Sequence, residues 1–577
     1  PIRDKCPRHC LPQGLYPATH AQNTHRVSLA QDMCQTASVN SVHPATQTGT
    51  FGEVVTVADF LANSALRDPD RIALIEAETG ERISYSALDS KVSATAAALL
   101  ESGLTPSRSG DRVAMLMGNS IEFVVSYFGI VRAGLVPIPL NPGYTSREIT
   151  EILEVSEAKV LLVSSELAEL GADSVPDSCP AMLCEEITST RDSIRNFLKE
   201  SIRSLTRKSD TKVDFPKIAV DNLGLLLFTS GSDGTAKGVM LTHANVVSNV
   251  SALLELRNPP IVSAEDTVLA VLPLFHIYGL NTVLTMSLAV GASVVMLDRF
   301  DASESLEVIA REHVTTVAGA PAMYLLWSRI PGVANAMRPV RLLSSGGAQL
   351  PVNVFNRFEE LTGMRIFEGY GMTEASPVIT STVVNSRAQA GCVGLPIAGT
   401  SIRIMADSGD EVEFGDPGEI WIKGPGVFLG YWPNRDGGPD SSGWFGTGDI
   451  GYQDQDGALH LVDRRRELII VNGFNVFPRE VEAALEALTD VAEAAVLGRP
   501  DPDTGEAVSA LIVLAPGSLA TPESIGVSVA KALARFKCPT EIRIVASLPR
   551  SATGKIAKGR LREVYGVDVS GESTVQD

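Results

Sequence analysis

The run LFTSGSDGTAKGV, Leu227 to Val239, leads an apolar stretch into a turn of Thr229, Ser230, Gly231, Ser232, Asp233, Gly234 and Thr235, with Lys237 close behind. Small residues let backbone N–H groups approach phosphate oxygens, the hydroxyls add donors, and the lysine adds positive charge, so this run is a candidate phosphate cradle. Its glycine spacing, with Ala236 in front of the lysine, excludes a Walker A loop. A second glycine turn, Ser344-Ser345-Gly346-Gly347-Ala348, follows another apolar stretch. A third segment, FEGYGMTEASP, carries Glu368, Gly369, Tyr370, Gly371, Met372, Thr373 and Glu374. There Tyr370 offers a face for a stacked base, Thr373 a hydroxyl for phosphate, and Glu374 an oxygen ligand for Mg2+. In GWFGTGDIG, Asp449 in a tight turn can accept both hydroxyls of a ribose. Each segment alone admits a plainer reading, as a turn, a strand end with a buried tyrosine, or an Asx turn. His276, in the apolar LPLFHIYGL with no metal partner nearby, reads by itself as a core histidine, and Lys555 of SATGKI as a solvated lysine.

The elements that must position these residues follow an α/β pattern. From Val57 onward, short apolar runs alternate with helical spacing, the signature of a doubly wound architecture. Strands are expected at Arg112 to Met117, Leu135 to Leu140, Lys159 to Val163, Leu223 to Phe228, Thr267 to Leu272 and Ser293 to Leu297. Between the first two, Ile121 to Ala133 has helical spacing and stops before Gly134, as at a C-cap glycine. Residues 185–215 are polar and charged, an expected exposed insertion. From Asp463, a charged run precedes a helix with Val481, Leu485 and Leu488 on one face, then strands at Ala507 to Leu514 and Glu541 to Val545. The expected organisation is an extension over 1–50 with little order, a large N-terminal α/β domain of layered sheets and helices over 51–463, and a small mobile C-terminal α+β domain over 464–577, hinged at 464–466.

Composition narrows the function classes. The 577 residues are 44% hydrophobic and 20% charged, which excludes a disordered or coiled-coil chain. A formal charge of −20 argues against nucleic-acid or anionic-membrane partners. Seven sparse cysteines fit a reducing compartment, with the cytoplasm as the default. Thr267 to Leu297 lacks formal charge over more than a membrane-spanning length, but Pro273, His276 and Asn281 favour a buried core. No charged-then-apolar signal opens the sequence, while peripheral membrane contact and a homodimer stay open. Cys6, His9 and Cys10 lie close together, but no second pair at zinc-finger spacing follows, so incidental residues in an extension are the preferred reading.

Order and number turn these weak signals into a strong one. Together LFTSGSDGTAKGV, LPLFHIYGL, FEGYGMTE, GWFGTGDIG, DRRRELIIVNGFNVFPREVE and SATGKI resemble, in family order and across about residues 55–560, the adenylate-forming superfamily of acyl-CoA synthetases, aryl-CoA ligases and firefly-type luciferases. The resemblance implies attack of a carboxylate on the α-phosphorus of MgATP, giving acyl-AMP and pyrophosphate, then displacement of AMP by a thiol, normally that of coenzyme A. It implies that Lys555 reaches the carboxylate and α-phosphate, that Asp449 and Arg464 hold the ribose, and that Thr229 and Glu374 serve Mg2+ with Thr373 on phosphate oxygens. Gly347 and Ala348 would wall adenine and the acyl pocket, and His276 would border the carboxylate as a binding or gating residue. The small domain would rotate at Arg466, exchanging Lys555 for the Gly473 loop along the thiol channel.

The sequence departs from the family at several places. Ser232, Asp233 and Ala236 stand where Thr, Thr and Pro are usual, Gln349 where Pro is common, and Ile470 where Lys is frequent. Asp233 places a negative charge in a phosphate loop. The expected activity is an ATP-dependent acyl-CoA synthetase for a fatty or similarly apolar carboxylic acid. Two alternatives are a fatty acyl-AMP ligase feeding a carrier protein, and a nucleotide-binding protein whose catalysis has decayed. A Rossmann dehydrogenase is disfavoured because no G-x-G-x-x-G fingerprint is present.

Overall fold

In the computed structural model, the described residues are 56–176, 179–184, 215–230, 236–464, 467, 469–471, 474–501, 504–533, 535–550 and 555–565. The expectations for 1–50, including Cys6, His9 and Cys10, and for nearly all of the 185–215 insertion lie outside them, as do Gly231, Ser232, Asp233, Gly234, Arg466 and Gly473.

The strands form where apolar runs were expected, most of them shortened by a residue or two, whereas Leu223–Ser230 and Gly505–Leu514 each run two residues longer. Arg112–Leu116, Val136–Leu140, Val160–Val163 and Ala181–Leu183 make one all-parallel sheet, ordered with Arg112–Leu116 between Val136–Leu140 and Val160–Val163. The helix Ile121–Arg132 crosses between its first two strands. Ser120 caps its start by accepting the Phe123 N–H, and Gly134 ends the connection at φ +72°, where a side chain would be strained.

A nine-stranded sheet forms the other layer. Its parallel centre runs Ile366–Gly371, Leu342–Ser345, Thr316–Gly319, Thr267–Ala270, Ser293–Met296 and Ile72–Glu76, and antiparallel strands finish both edges. The central strands are apolar on both faces because helices cover both, so Val268, Leu269, Val294, Val295 and Val317 lose nearly all exposure. The charge-free stretch from Thr267 becomes strand, π-helix Tyr278–Thr285, short α-helix Met286–Val290 and strand again. Among the described residues no helix is long and apolar enough to cross a membrane.

A four-stranded antiparallel sheet follows: Ser401–Met405, Gly418–Lys423, Phe445–Gln453 and Leu459–Arg464. After it comes a smaller α+β region with its own apolar core of Ile469, Val476, Val481, Leu485, Val496, Val508 and Ile512. The long pair Val491–Asp501 and Gly505–Leu514 is antiparallel, and Glu541–Ile544 adds in parallel. A large α/β part and a small α+β part are therefore present.

Candidate active site

The phosphate-loop run is a hairpin. Leu223–Ser230 pairs antiparallel with Ala236–Thr242, which sets Thr229 directly opposite Lys237. The returning strand also pairs with the segment after Phe428: Leu429 N–H donates to the Met240 carbonyl at 3.0 Å, Met240 N–H to Gly430 at 3.2 Å, and Trp432 N–H to Gly238 at 2.7 Å. This brings the Tyr431 ring under Lys237, whose Nζ lies 5.8 Å from the ring centroid. The Tyr431 hydroxyl donates to Glu374 Oε1 at 2.7 Å. Tyr431 thus links the two groups that sequence reading assigned to phosphate and Mg2+, and it was absent from that reading. Nothing in its local sequence marks it, because the connection is made by strand pairing between distant segments.

Glu374 is positioned from behind by a helix. In His243–Leu254, Asn245 Nδ2 donates to the carbonyls of Pro425 and Val427 at 2.8 and 2.9 Å, and Asn249 Nδ2 to those of Ala375 and Val378 at 3.2 and 2.8 Å. Two amides one helical turn apart therefore fix both the Glu374 segment and the one leading to Tyr431. Glu374 itself is only 7% exposed. A buried carboxylate is a hard-oxygen donor of the kind that Mg2+ takes, so Glu374 fits that ion.

The strand Ile366–Gly371 alternates, with Ile366, Glu368 and Tyr370 turned to the interior. Tyr370 donates to Asp449 Oδ2 at 2.6 Å. Asp449 lies inside the strand Phe445–Gln453, not in the tight turn expected from its glycines, and pairs in register with Arg464 of Leu459–Arg464. The two residues expected at the ribose are therefore cross-strand neighbours. Glu368 is 2% exposed, and burial, ahead of an opposing backbone N–H, holds its carboxyl well above the usual carboxylate range. Gly369, Gly371, Met372 and Thr373 complete the strand end and the 3-10 turn that follows. Gly347 and Ala348 come just after the carboxyl end of the neighbouring strand Leu342–Ser345, where open α/β sheets place ligands.

The His276 segment is held by a second element that the sequence did not flag. Asn119 is 7% exposed; its Nδ2 donates to Leu272 and Leu297 carbonyls at 3.0 and 3.1 Å, and its Oδ1 accepts the Leu274 N–H at 2.8 Å. Close packing then forces Gly279, where a Cβ would lie 2.4 Å from the Pro273 carbonyl oxygen. The π-helix begins at once, a geometry often found where side chains must be re-aimed. His276 packs against Phe275 at 4.7 Å between ring centroids. Although part of the residue still meets solvent, burial first and the Lys555 charge second lower its pKa to about 4. Lys555, 279 positions away and exposed, lies near enough for its charge to bear on His276. The Arg464 side chain lies outside the described residues, as does that of Ser230.

Residues 61–432 match the AMP-binding enzyme family, and 480–555 match the AMP-binding enzyme C-terminal domain, which ends on Lys555. A long-chain-fatty-acid–CoA ligase of Yersinia pestis is 32% identical over 88% of this chain and 93% of its own. A feruloyl-CoA synthase of an Amycolatopsis species is 33% identical over 84% and 95%. Among solved structures, ATP-bound MatB from Rhodopseudomonas palustris superposes with a TM-score of 0.78 at 31% identity, covering 88% of this chain and 99% of its own.

Proposed function

The chain belongs to the AMP-binding enzyme family and is an AMP-forming acid–thiol ligase of the acyl-CoA synthetase type that binds ATP, and from that premise we propose that its acid is a fatty or similarly apolar one, with Mg2+ and coenzyme A as cofactor and co-substrate. What supports the reading is the Lys555 charge reaching a His276 that burial keeps neutral within the apolar segment Leu272 to Leu280. A cation beside a neutral, partly buried ring suits a carboxylate whose tail runs into apolar surroundings. An imidazolium there would compete with Lys555 for the same anion.

In the first step a carboxylate oxygen bonds to the α-phosphorus and pyrophosphate leaves. Two anions approach each other, so the residues must supply preorganised positive charge and exclude water. Lys555 does so at the carboxylate and α-phosphate, and Lys237 with the Thr229 hydroxyl at the outer phosphates. Asp449, fixed by Tyr370, accepts the ribose hydroxyls with Arg464 alongside. Thr373 meets phosphate, and Glu374 with Thr229 would hold Mg2+, which supplies charge neutralisation on the phosphates when bound. In the second step the thiolate sulfur bonds to the acyl carbon and AMP leaves with the bonding pair. The domain line at 463 and rotation over 464–466 belong to the same reading, with Gly473 lining the thiol's approach.

The experiment is an acid panel from acetate to icosanoate plus aryl acids, scored for acid-dependent pyrophosphate release and then for CoA thioester, with Lys555→Ala as control. Loss of a cation placed at a developing anion costs about 10²–10³ in rate. Thioester on free coenzyme A is expected for medium or long apolar acids. Pyrophosphate release with transfer only to a carrier protein would replace the acceptor, and no acid-dependent release at all would overturn the reading.

A further inference from the structure

The small α+β region contains a buried cation that no step above uses. Lys558 opens the helix Lys558–Val564, three residues beyond Lys555, and is 8% exposed. Its Nζ meets Glu482 Oε1 at 2.8 Å and Glu467 Oε2 at 2.9 Å. The side chains of Lys558, Glu467 and Glu482 keep 9%, 21% and 3% of their exposure. Glu482 Oε1 also accepts the Val496 N–H at 2.9 Å, so one carboxylate ties the helix Pro478–Glu486 to the strand Val491–Asp501 and to Lys558 at once. Arg479 stands 3.6 Å from the other Glu482 oxygen.

Position gives this triad its meaning. Glu467 is the first residue past the charged 464–466 run. Beside Lys555, Arg550 and Ile556 form an antiparallel bridge and Ala557 N–H donates to Pro549 at 2.8 Å. Arg550 is itself held by Glu493 at 2.7 Å. Lys558 therefore joins three segments far apart in sequence: the start of the small region, the helix Pro478–Glu486, and the segment that carries Lys555. Buried ion pairs rarely add net stability over apolar packing, but they fix one arrangement, and removing one partner strands charge.

We propose that Lys558 is a positioning residue that locks the segment carrying Lys555 to Glu467 at the end of the hinge, so that rotation there is delivered to Lys555 as a rigid displacement. The inference rests on the catalytic reading of Lys555 given above. A turn free to shift by about 1 Å costs on the order of 10²-fold in a step that needs aligned groups. Only the acyl-adenylate step uses Lys555 in that reading, so the two half-reactions should respond differently.

The test compares the full chain with Lys558→Met, Lys558→Arg, Glu467→Gln and Lys555→Ala. Pyrophosphate release in a single turnover, with the best acid of the panel, reports the first half-reaction. Thioester formation from chemically made acyl-AMP and coenzyme A reports the second, and thermal melting reports the fold. Lys558→Met should slow the first half-reaction by about 10²-fold and the second by no more than about twofold, with Lys558→Arg recovering most of the loss. Glu467→Gln, which keeps the Glu482 pair, should show the same asymmetry more weakly and carries the test should Lys558→Met fail to fold. Equal losses in both half-reactions, tracking the melting temperature, would reduce Lys558 to a fold-stabilising residue, and an unchanged first half-reaction would overturn the proposal outright. If Lys555→Ala leaves pyrophosphate release intact, the failure belongs to the reading of Lys555 and not to Lys558.

Discussion

The Tyr370 hydroxyl donates a 2.6 Å hydrogen bond to Asp449 across 79 residues of sequence. The bond joins the end of the nine-stranded sheet to the antiparallel sheet beside it, and it aims the one carboxylate that faces Arg464 across a strand pair. Asp449→Ala should weaken ATP binding by about 10- to 100-fold, since hydrogen bonds to a charged acceptor contribute about 1.5–3 kcal/mol. Tyr370→Phe leaves the carboxylate in place but unaimed, and should cost about 1 kcal/mol. Calorimetric titration with ATP checks both, and a Tyr370→Phe effect as large as Asp449→Ala would mean that the phenol itself meets the nucleotide.

Tyr431 offers a separate handle on the phosphate end. Tyr431→Phe keeps the ring under Lys237 but removes the hydroxyl that holds Glu374. The expected result is a rise of about tenfold in half-saturating Mg2+ at fixed ATP, from loss of one hydrogen bond to a carboxylate. Mn2+ binding followed by electron paramagnetic resonance should weaken in parallel, and an unaltered metal dependence would remove Glu374 from that role.

His276 should titrate well below neutrality. Its folded pKa of about 4 lies below the ordinary histidine value, so the unfolded chain binds more protons between about pH 4 and 6.5 and this group lowers stability as pH falls through that window. Its ring resonances should stay constant from pH 6 to 8. Burial is the larger cause and the Lys555 charge the smaller, so Lys555→Ala should shift the midpoint upward only slightly. No shift at all would separate the two residues.

Glu486 works in the opposite direction. Burial, helped by the neighbouring Glu482 charge and opposed by the backbone hydrogen bond from Ala494, raises its pKa to about 7. The folded chain then holds a proton that the unfolded chain has released, so stability falls as pH rises from about 4.5 to about 7. At about 1.4 kcal/mol per unit over that window the contribution is at most about 3–4 kcal/mol. Glu486→Gln should flatten that decline in urea melts taken across the window, and an unchanged slope would assign the pH dependence to other groups.

The sequence by itself determined the alternation of strands and helices, the helix between Ser120 and Gly134, and the segments that carry Thr229, His276, Glu374, Asp449 and Lys555. Those signals are local: apolar period, turn residues, and charge placed next to small residues. It could not determine that Thr229 faces Lys237, that Tyr431 braces Glu374, that Asn119 and Asn249 hold the site from behind, or that Lys558 is buried between two carboxylates. An asparagine that satisfies distant carbonyls and one in a solvated turn look alike in sequence, because the difference is which backbone groups tertiary packing strips of water. The same holds for Asp449, whose glycines suggest a turn until pairing with Arg464 draws it into a strand. Chemistry was legible residue by residue, whereas distance and burial came only with the packed chain.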